Sequence, residues 1–157
     1  MNNERIERMD KLIAEAMKSK QTERVATLRL IKAKYMAYLT QEPKADKNGN
    51  KISFVLDEAA ELNILKKMAD ERKESIKIYE ENSRADLANK EKAELDVIKE
   101  FLPKETTDAE INAKIDELIN SGKVLEQKTM GLFIKEIKAA YPVADGSKVA
   151  QLVKARL

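Results

Sequence analysis

The chain has 157 residues, 43% of them apolar but only 4% aromatic, so its core must be aliphatic and alanine-rich. It contains no Cys and no His, which excludes disulfides, thiolate nucleophiles, Cys/His metal sites and imidazole catalysis. Charged residues reach 37%, with 30 basic against 28 acidic side chains, so the placement of charge says more than its net value.

The first 20 residues carry charge throughout, and no signal peptide is expected. No run approaches the roughly 18 apolar residues of a membrane span. A soluble, cytoplasmic protein with no membrane partner is the expectation.

Apolar residues recur with a helical period nearly everywhere. Ile6, Met9, Ile13 and Met17 define a first helix. Thr22 reads as the cap of a second, which carries Val25, Leu28, Ile31, Tyr35 and Leu39. EPKADKNGNK, 42–51, is polar and holds Pro43 and Gly49, so it reads as a loop. ISFV, 52–55, is the one strand-like run, too short and isolated to make a sheet. Asp57 starts a long helix ending near Glu81, with the seam Leu62, Leu65, Ala69, Arg72, Ile76 and Tyr79. Ser83 reads as the N-cap of the next helix, with Asp86 completing a capping box. That helix carries Leu87, Glu91, Glu94 or Leu95, and Ile98, and stops at Pro103. Thr107 and Glu110 form a second capping box before Ile111, Ile115, Leu118 and Ile119, and Gly122 ends that helix. Two short helices close the chain.

If helix 57–81 folds back on helix 84–102, Ile76 faces Leu87, Leu65 faces Ile98, and Leu62 faces Phe101. The same register sets Arg72 opposite Glu91. Both interrupt apolar seams, and they read as a structural ion pair across an αα-hairpin, which fixes register while adding little net stability. The competing role is a catalytic or ligand-binding couple.

The expected fold is all-α. Residues 1–103 make an N-terminal four-helix domain with the long αα-hairpin, and 104–157 make a three-helix tail. So small a tail has a marginal core, and it is expected to be steadied by something else.

Charge separates within the tail. Segment 105–122 sets one Lys against five acids, a net charge of −4, whereas 123–157 sets seven cations against three acids, a net charge of +4. On a wheel of about 100° per residue, Met130, Ile134, Ile137 and Tyr141 share a buried face. Gly131, Lys135 and Lys138 share a neighbouring stripe. Asp145 reads as the cap of the last helix, with Gly146 in its first turn and Lys148 and Lys154 beyond. Helix N-termini expose N–H groups and a positive dipole end, and glycine lets another backbone approach. Gly131, Lys135, Lys138, Gly146, Lys148 and Lys154 are therefore candidate phosphate-backbone contacts. The bland alternative is close helix packing at the glycines and a solvated lysine face.

No catalytic constellation is legible. No serine lies in a GxSxG motif, ADGSKV lacks the first half of a P-loop, and DKNGN places its glycine wrongly for a calcium loop. No catalytic residue, cofactor or metal ligand is assigned.

Three segments carry a family resemblance: LRLIKA (28–33), ERKESIKIYEENSRADLANKEKAELDVIKEFLPK (71–104) and MGLFIKEIK…ADGSKVAQLVKARL (130–157). In this order they resemble the YqeY family, small bacterial proteins. These share a C-terminal domain with the B subunit of tRNA-dependent amidotransferases. The resemblance implies an all-α protein with a YqeY-type three-helix tail. In the amidotransferase the equivalent tail contacts the elbow of tRNA, and its catalytic centres lie outside the shared domain. It also implies that Met130, Gly131, Lys135, Lys138, Asp145, Gly146 and Lys148 fall in the shared tail motif. Three functions compete. The first is a tRNA-binding accessory module. The second is a subunit or remnant of a carbon–nitrogen ligase using glutamine as amido donor, for which this chain lacks a nucleophile and a nucleotide loop. The third is an adaptor that touches an aminoacyl-tRNA synthetase or an amidotransferase.

Overall fold

A computed structural model describes residues 3–157 and is all-α: seven α-helices and one two-stranded ribbon among the described residues. The chain divides into two compact units, Met1–Leu102 and Pro103–Leu157.

The first unit contains α1 (Glu4–Lys18), α2 (Thr22–Leu39), a ribbon of β1 (Lys44–Ala45) and β2 (Lys51–Ile52), α3 (Glu58–Glu81) and α4 (Ala85–Lys99). Its core is built from the apolar stripes of all four helices, among them Met9, Leu28, Ile31, Leu65, Met68 and Ile98. On α1 the stripe ends differently from its sequence period. Ala16 is buried, while Met17 is 55% exposed. The chain turns at Lys20, so the last turn of α1 offers its small side chain to α2.

Two connections are closed by left-handed residues. Lys20 (φ 57°) ends α1, with the Gln21 N–H donating to the Ala16 carbonyl at 3.0 Å. Ser83 (φ 56°) ends α3, with the Arg84 N–H donating to the Tyr79 carbonyl at 2.8 Å. This is the Schellman arrangement of a helix C-terminus. The expectation that Ser83 caps α4 is thereby corrected. An N-cap needs extended backbone, the N-cap is Arg84, and Asp86 pairs with Arg84 at 3.3 Å instead. Thr22 is likewise the first helical residue and not the cap, which is Gln21 without a side-chain bond. Asp57 does cap α3, accepting from the Ala60 N–H at 2.8 Å.

In the loop, Asp46 organises the turn of the ribbon by accepting from the Asn48 and Asn50 N–H groups, each at 2.8 Å. These bonds hold its carboxyl below the usual aspartate value, the Asn50 amide contributing most. Of the strand-like run, only Ile52 lies in the ribbon. Phe54 packs edge-on against Tyr38 with ring centroids 5.4 Å apart.

Between α3 and α4, Arg72 is only 15% exposed and hydrogen-bonds Glu94 at 3.3 Å, while Glu91 lies at 3.9 Å. Arg72 thus answers to two carboxylates of α4 one turn apart, with Glu94 the nearer.

The second unit contains α5 (Asp108–Asn120), a 3₁₀ turn (Gln127–Thr129), α6 (Met130–Ala140) and α7 (Gly146–Lys154). It has its own core of Ile111, Ile115, Phe133, Ile137, Val149 and Val153. Phe133 and Ile137 carry α6 into this core, while Met130, Ile134 and Tyr141 are half-buried at its margin.

Candidate nucleic-acid interface

The second unit places its charges through its helix ends. Thr107 caps α5, its Oγ1 accepting from the Glu110 N–H at 3.2 Å. The left-handed Gly122 (φ 99°) closes α5, with the Lys123 N–H donating to Leu118 at 3.2 Å. Asp145 caps α7, accepting from the Ser147 N–H at 3.1 Å.

Acidic α5 neutralises part of basic α7. Lys148 Nζ lies 2.7 Å from Asp108, and Arg156 pairs with Asp116. Both pairs are 40 residues apart in sequence, so α5 and α7 run in the same direction. The Asp108 hydrogen bond raises the Lys148 amine above its usual value, with the nearby charges of Asp108, Asp145 and Glu105 acting in the same sense. Lys123 pairs with Glu136, and Lys128 with Glu126 at 3.1 Å. Three of the seven cations in 123–157 make no ion pair among the described residues: Lys135, Lys138 and Lys154.

The candidate residues divide accordingly. Lys138 and Gly146 come together, since a Cβ on Gly146 would lie 3.3 Å from Lys138 Nζ. Lys135 stands one turn before Lys138 on exposed α6 surface. Lys148 is engaged by Asp108. Lys154, in the last turn of α7, bonds to none of the other candidates. Gly131 is exposed, with nothing within 4 Å of an added Cβ, so no packing need within the protein accounts for a glycine there. The helical path starts upstream of it. Glu126 and Thr129 fill that end reciprocally, the Thr129 N–H donating to the Glu126 carbonyl at 3.0 Å and the Glu126 N–H to Thr129 Oγ1 at 2.9 Å. Gly131 therefore offers an open backbone surface and not a bare helix N-terminus. The Lys123–Glu136 and Arg156–Asp116 pairs were not legible in sequence, because no local spacing joins their partners.

Elsewhere the chemistry is sparse. Among the described residues no group of three or more His, Cys, Asp or Glu could hold a metal ion. No helix of the described residues is long and apolar enough to cross a membrane.

The class this defines is a two-unit helical protein whose small C-terminal unit presents three unpaired lysines. The chain belongs to the Yqey-like protein family, which it matches over residues 6–157. It is similar to Altered inheritance of mitochondria protein 41, mitochondrial, of Lachancea thermotolerans. The two are 34% identical over 83 residues, 52% of this chain and 43% of that protein. It is also similar to an uncharacterized protein of Schizosaccharomyces pombe, 30% identical over 93 residues, 59% of this chain and 68% of that protein. The chain therefore spans under half the length of the first and about two thirds of the second.

Proposed function

We propose that this protein is a cytoplasmic accessory module that binds tRNA, gripping phosphates with its C-terminal unit. The observation that carries the reading is the unpaired Lys138 ammonium held over Gly146 at the start of α7. A cation beside the positive end of a helix dipole is stabilised when an anion joins it. Lys135 extends the same stripe. Gly131, open and exposed, leaves room for a ribose–phosphate backbone. Such contacts position a folded RNA and do not read its sequence. The partner proteins that suit this role are an aminoacyl-tRNA synthetase or an amidotransferase, which the module would assist without catalysing their reaction.

The test is fluorescence anisotropy with labelled tRNA, and with an acceptor-stem minihelix that lacks the elbow. Saturable binding to whole tRNA and not to the minihelix is expected. Three phosphate contacts give a log–log salt slope of about −2.7, so a fourfold rise in salt weakens binding about 40-fold. Lys135→Ala with Lys138→Ala should weaken binding without lowering the melting temperature. Equal, weak binding of both RNAs, or full affinity in the double variant, removes the proposal.

A further inference from the structure

Helix α2 is apolar on two sides. Val25, Leu28, Ile31 and Tyr35 enter the core of the first unit. On the opposite side Ala26, Leu30, Ala33 and Ala37 form a second line, and all four are exposed. Their spacing alternates between four and three, which is the seam along which two helices pack. Leu30 is 41% and Met36 44% exposed, and the exposed Met17 of α1 joins this surface through Arg29, whose Nη2 lies 3.8 Å from the Met17 sulfur. A helix at a protein surface ordinarily turns polar residues outward, so a second apolar line is a surface suited to a contact.

The charges beside the seam state what could cover it. Arg29 and Lys34 flank it, and neither pairs with a carboxylate among the described residues. The neighbouring Lys32 is already neutralised by Asp10 at 2.5 Å. The only acid on the exposed side of the helix is Glu23, in its first turn. We infer that this face of α2 docks an amphipathic helix of another protein, with an apolar seam flanked by Asp or Glu. Three alanines allow a close approach of the two helix axes, and the flanking carboxylates meet Arg29 and Lys34. A second copy of the chain is disfavoured. The antiparallel register that pairs Ala26 with Ala37 and Leu30 with Ala33 also sets Arg29 against Lys34.

The test titrates the full chain into two labelled, stapled helical peptides that share an alanine–leucine seam, one flanked by Glu and the other by Lys. The Glu-flanked peptide is expected to bind saturably at least tenfold tighter. Ala33→Glu should abolish that binding while leaving the thermal melt unchanged, since Ala33 is exposed. Arg29→Glu with Lys34→Glu should transfer the preference to the Lys-flanked peptide. Equal affinity for both peptides, no binding of either, or a preference that survives charge reversal overturns the inference. So does concentration-dependent dimerisation that Ala33→Glu abolishes, which assigns the face to a second copy. Loss of tRNA binding in Ala33→Glu assigns it to RNA. The tail lysines play no part in these outcomes, so the inference and the RNA reading fail separately.

Discussion

Lys138 and Gly146 meet across the second unit, with 3.3 Å between Lys138 Nζ and the position a Gly146 Cβ would take. Lys138 lies in the last turn of α6, where the dipole favours a cation, and beside the first turn of α7, where it does not. Gly146→Ala should displace the flexible lysine tip by a few tenths of an ångström and change stability by less than about 1 kcal/mol. Affinity for tRNA should fall about fivefold, equivalent to about 1 kcal/mol. Parallel thermal melts and anisotropy titrations separate the two effects.

Gly131→Ala separates them further. Nothing lies within 4 Å of the new Cβ, so the variant should gain about 1 kcal/mol of helix stability. A methyl group under an approaching RNA backbone should at the same time cost binding about tenfold. A higher melting temperature with full tRNA affinity would take Gly131 out of the interface.

Arg72 gives the clearest stability test. Its hydrogen bond to Glu94 is 3.3 Å, against 3.9 Å to Glu91, and all three side chains are mostly buried. Glu94→Gln should cost about 1–2 kcal/mol and Glu91→Gln less than about 1 kcal/mol. Arg72→Met removes charge and donors together while keeping the packing stem, so it should lie closer to neutral than Arg72→Ala, which leaves both carboxylates unpaired. Urea titrations of the four variants check the order.

The long helices were legible because each must present an apolar stripe. The buried apolar positions of α2, for example, are Val25, Leu28, Ile31 and Tyr35, as their period requires, although Thr27 is buried beside them. The same period overran on α1, where Ala16 and not Met17 is buried, because a turn at Lys20 leaves the last side chain outside. Ser83 misled for a different reason. Serine suits both a helix cap and a tight turn, and only the two-residue connection forces it left-handed. In the candidate site the lysine stripe was visible from spacing. Which lysines remain unpaired was not, since Lys148 and Arg156 find carboxylates 40 residues away. Gly131 does lie in the first turn of α6, but the 3₁₀ turn at Gln127–Thr129 that leads into that helix has no signature in the spacing.

Alkaline pH should unfold the protein through Tyr35. Its ring is fully buried, and the Glu61 carboxylate beside its hydroxyl pairs with Arg5 and Arg8, at 3.0 and 2.9 Å. Burial, and then the charge of Glu61, push the phenol well above its ordinary value of 10.0. The protonated form is favoured in the folded state, so this stability is complete below the unfolded value and is lost as pH rises above about 10. Lys148, also raised, loses its contribution in the same direction as it deprotonates. The melting temperature should therefore fall steeply between about pH 9.5 and 11. Tyr35→Phe should flatten most of that fall, and a fall unchanged by the variant would show that another group controls it.

Three helix ends use the same left-handed closure, at Lys20 (φ 57°), Ser83 (φ 56°) and Gly122 (φ 99°), but only one is glycine. A side chain in this region costs roughly 1–2 kcal/mol, and glycine loses part of that advantage through its freer unfolded chain. Lys20→Gly and Ser83→Gly should each raise stability by about 0.5–1 kcal/mol. The gains should add, because the two turns close different helices. Gly122→Ala should destabilise by about 1 kcal/mol even though nothing lies within 4 Å of its Cβ, because the penalty is backbone strain and not collision. Urea unfolding followed by circular dichroism measures all three. A Ser83→Gly variant no more stable than the parent would mean that the Arg84–Asp86 pair beside the turn, and not its left-handed residue, sets the stability of the α3–α4 connection.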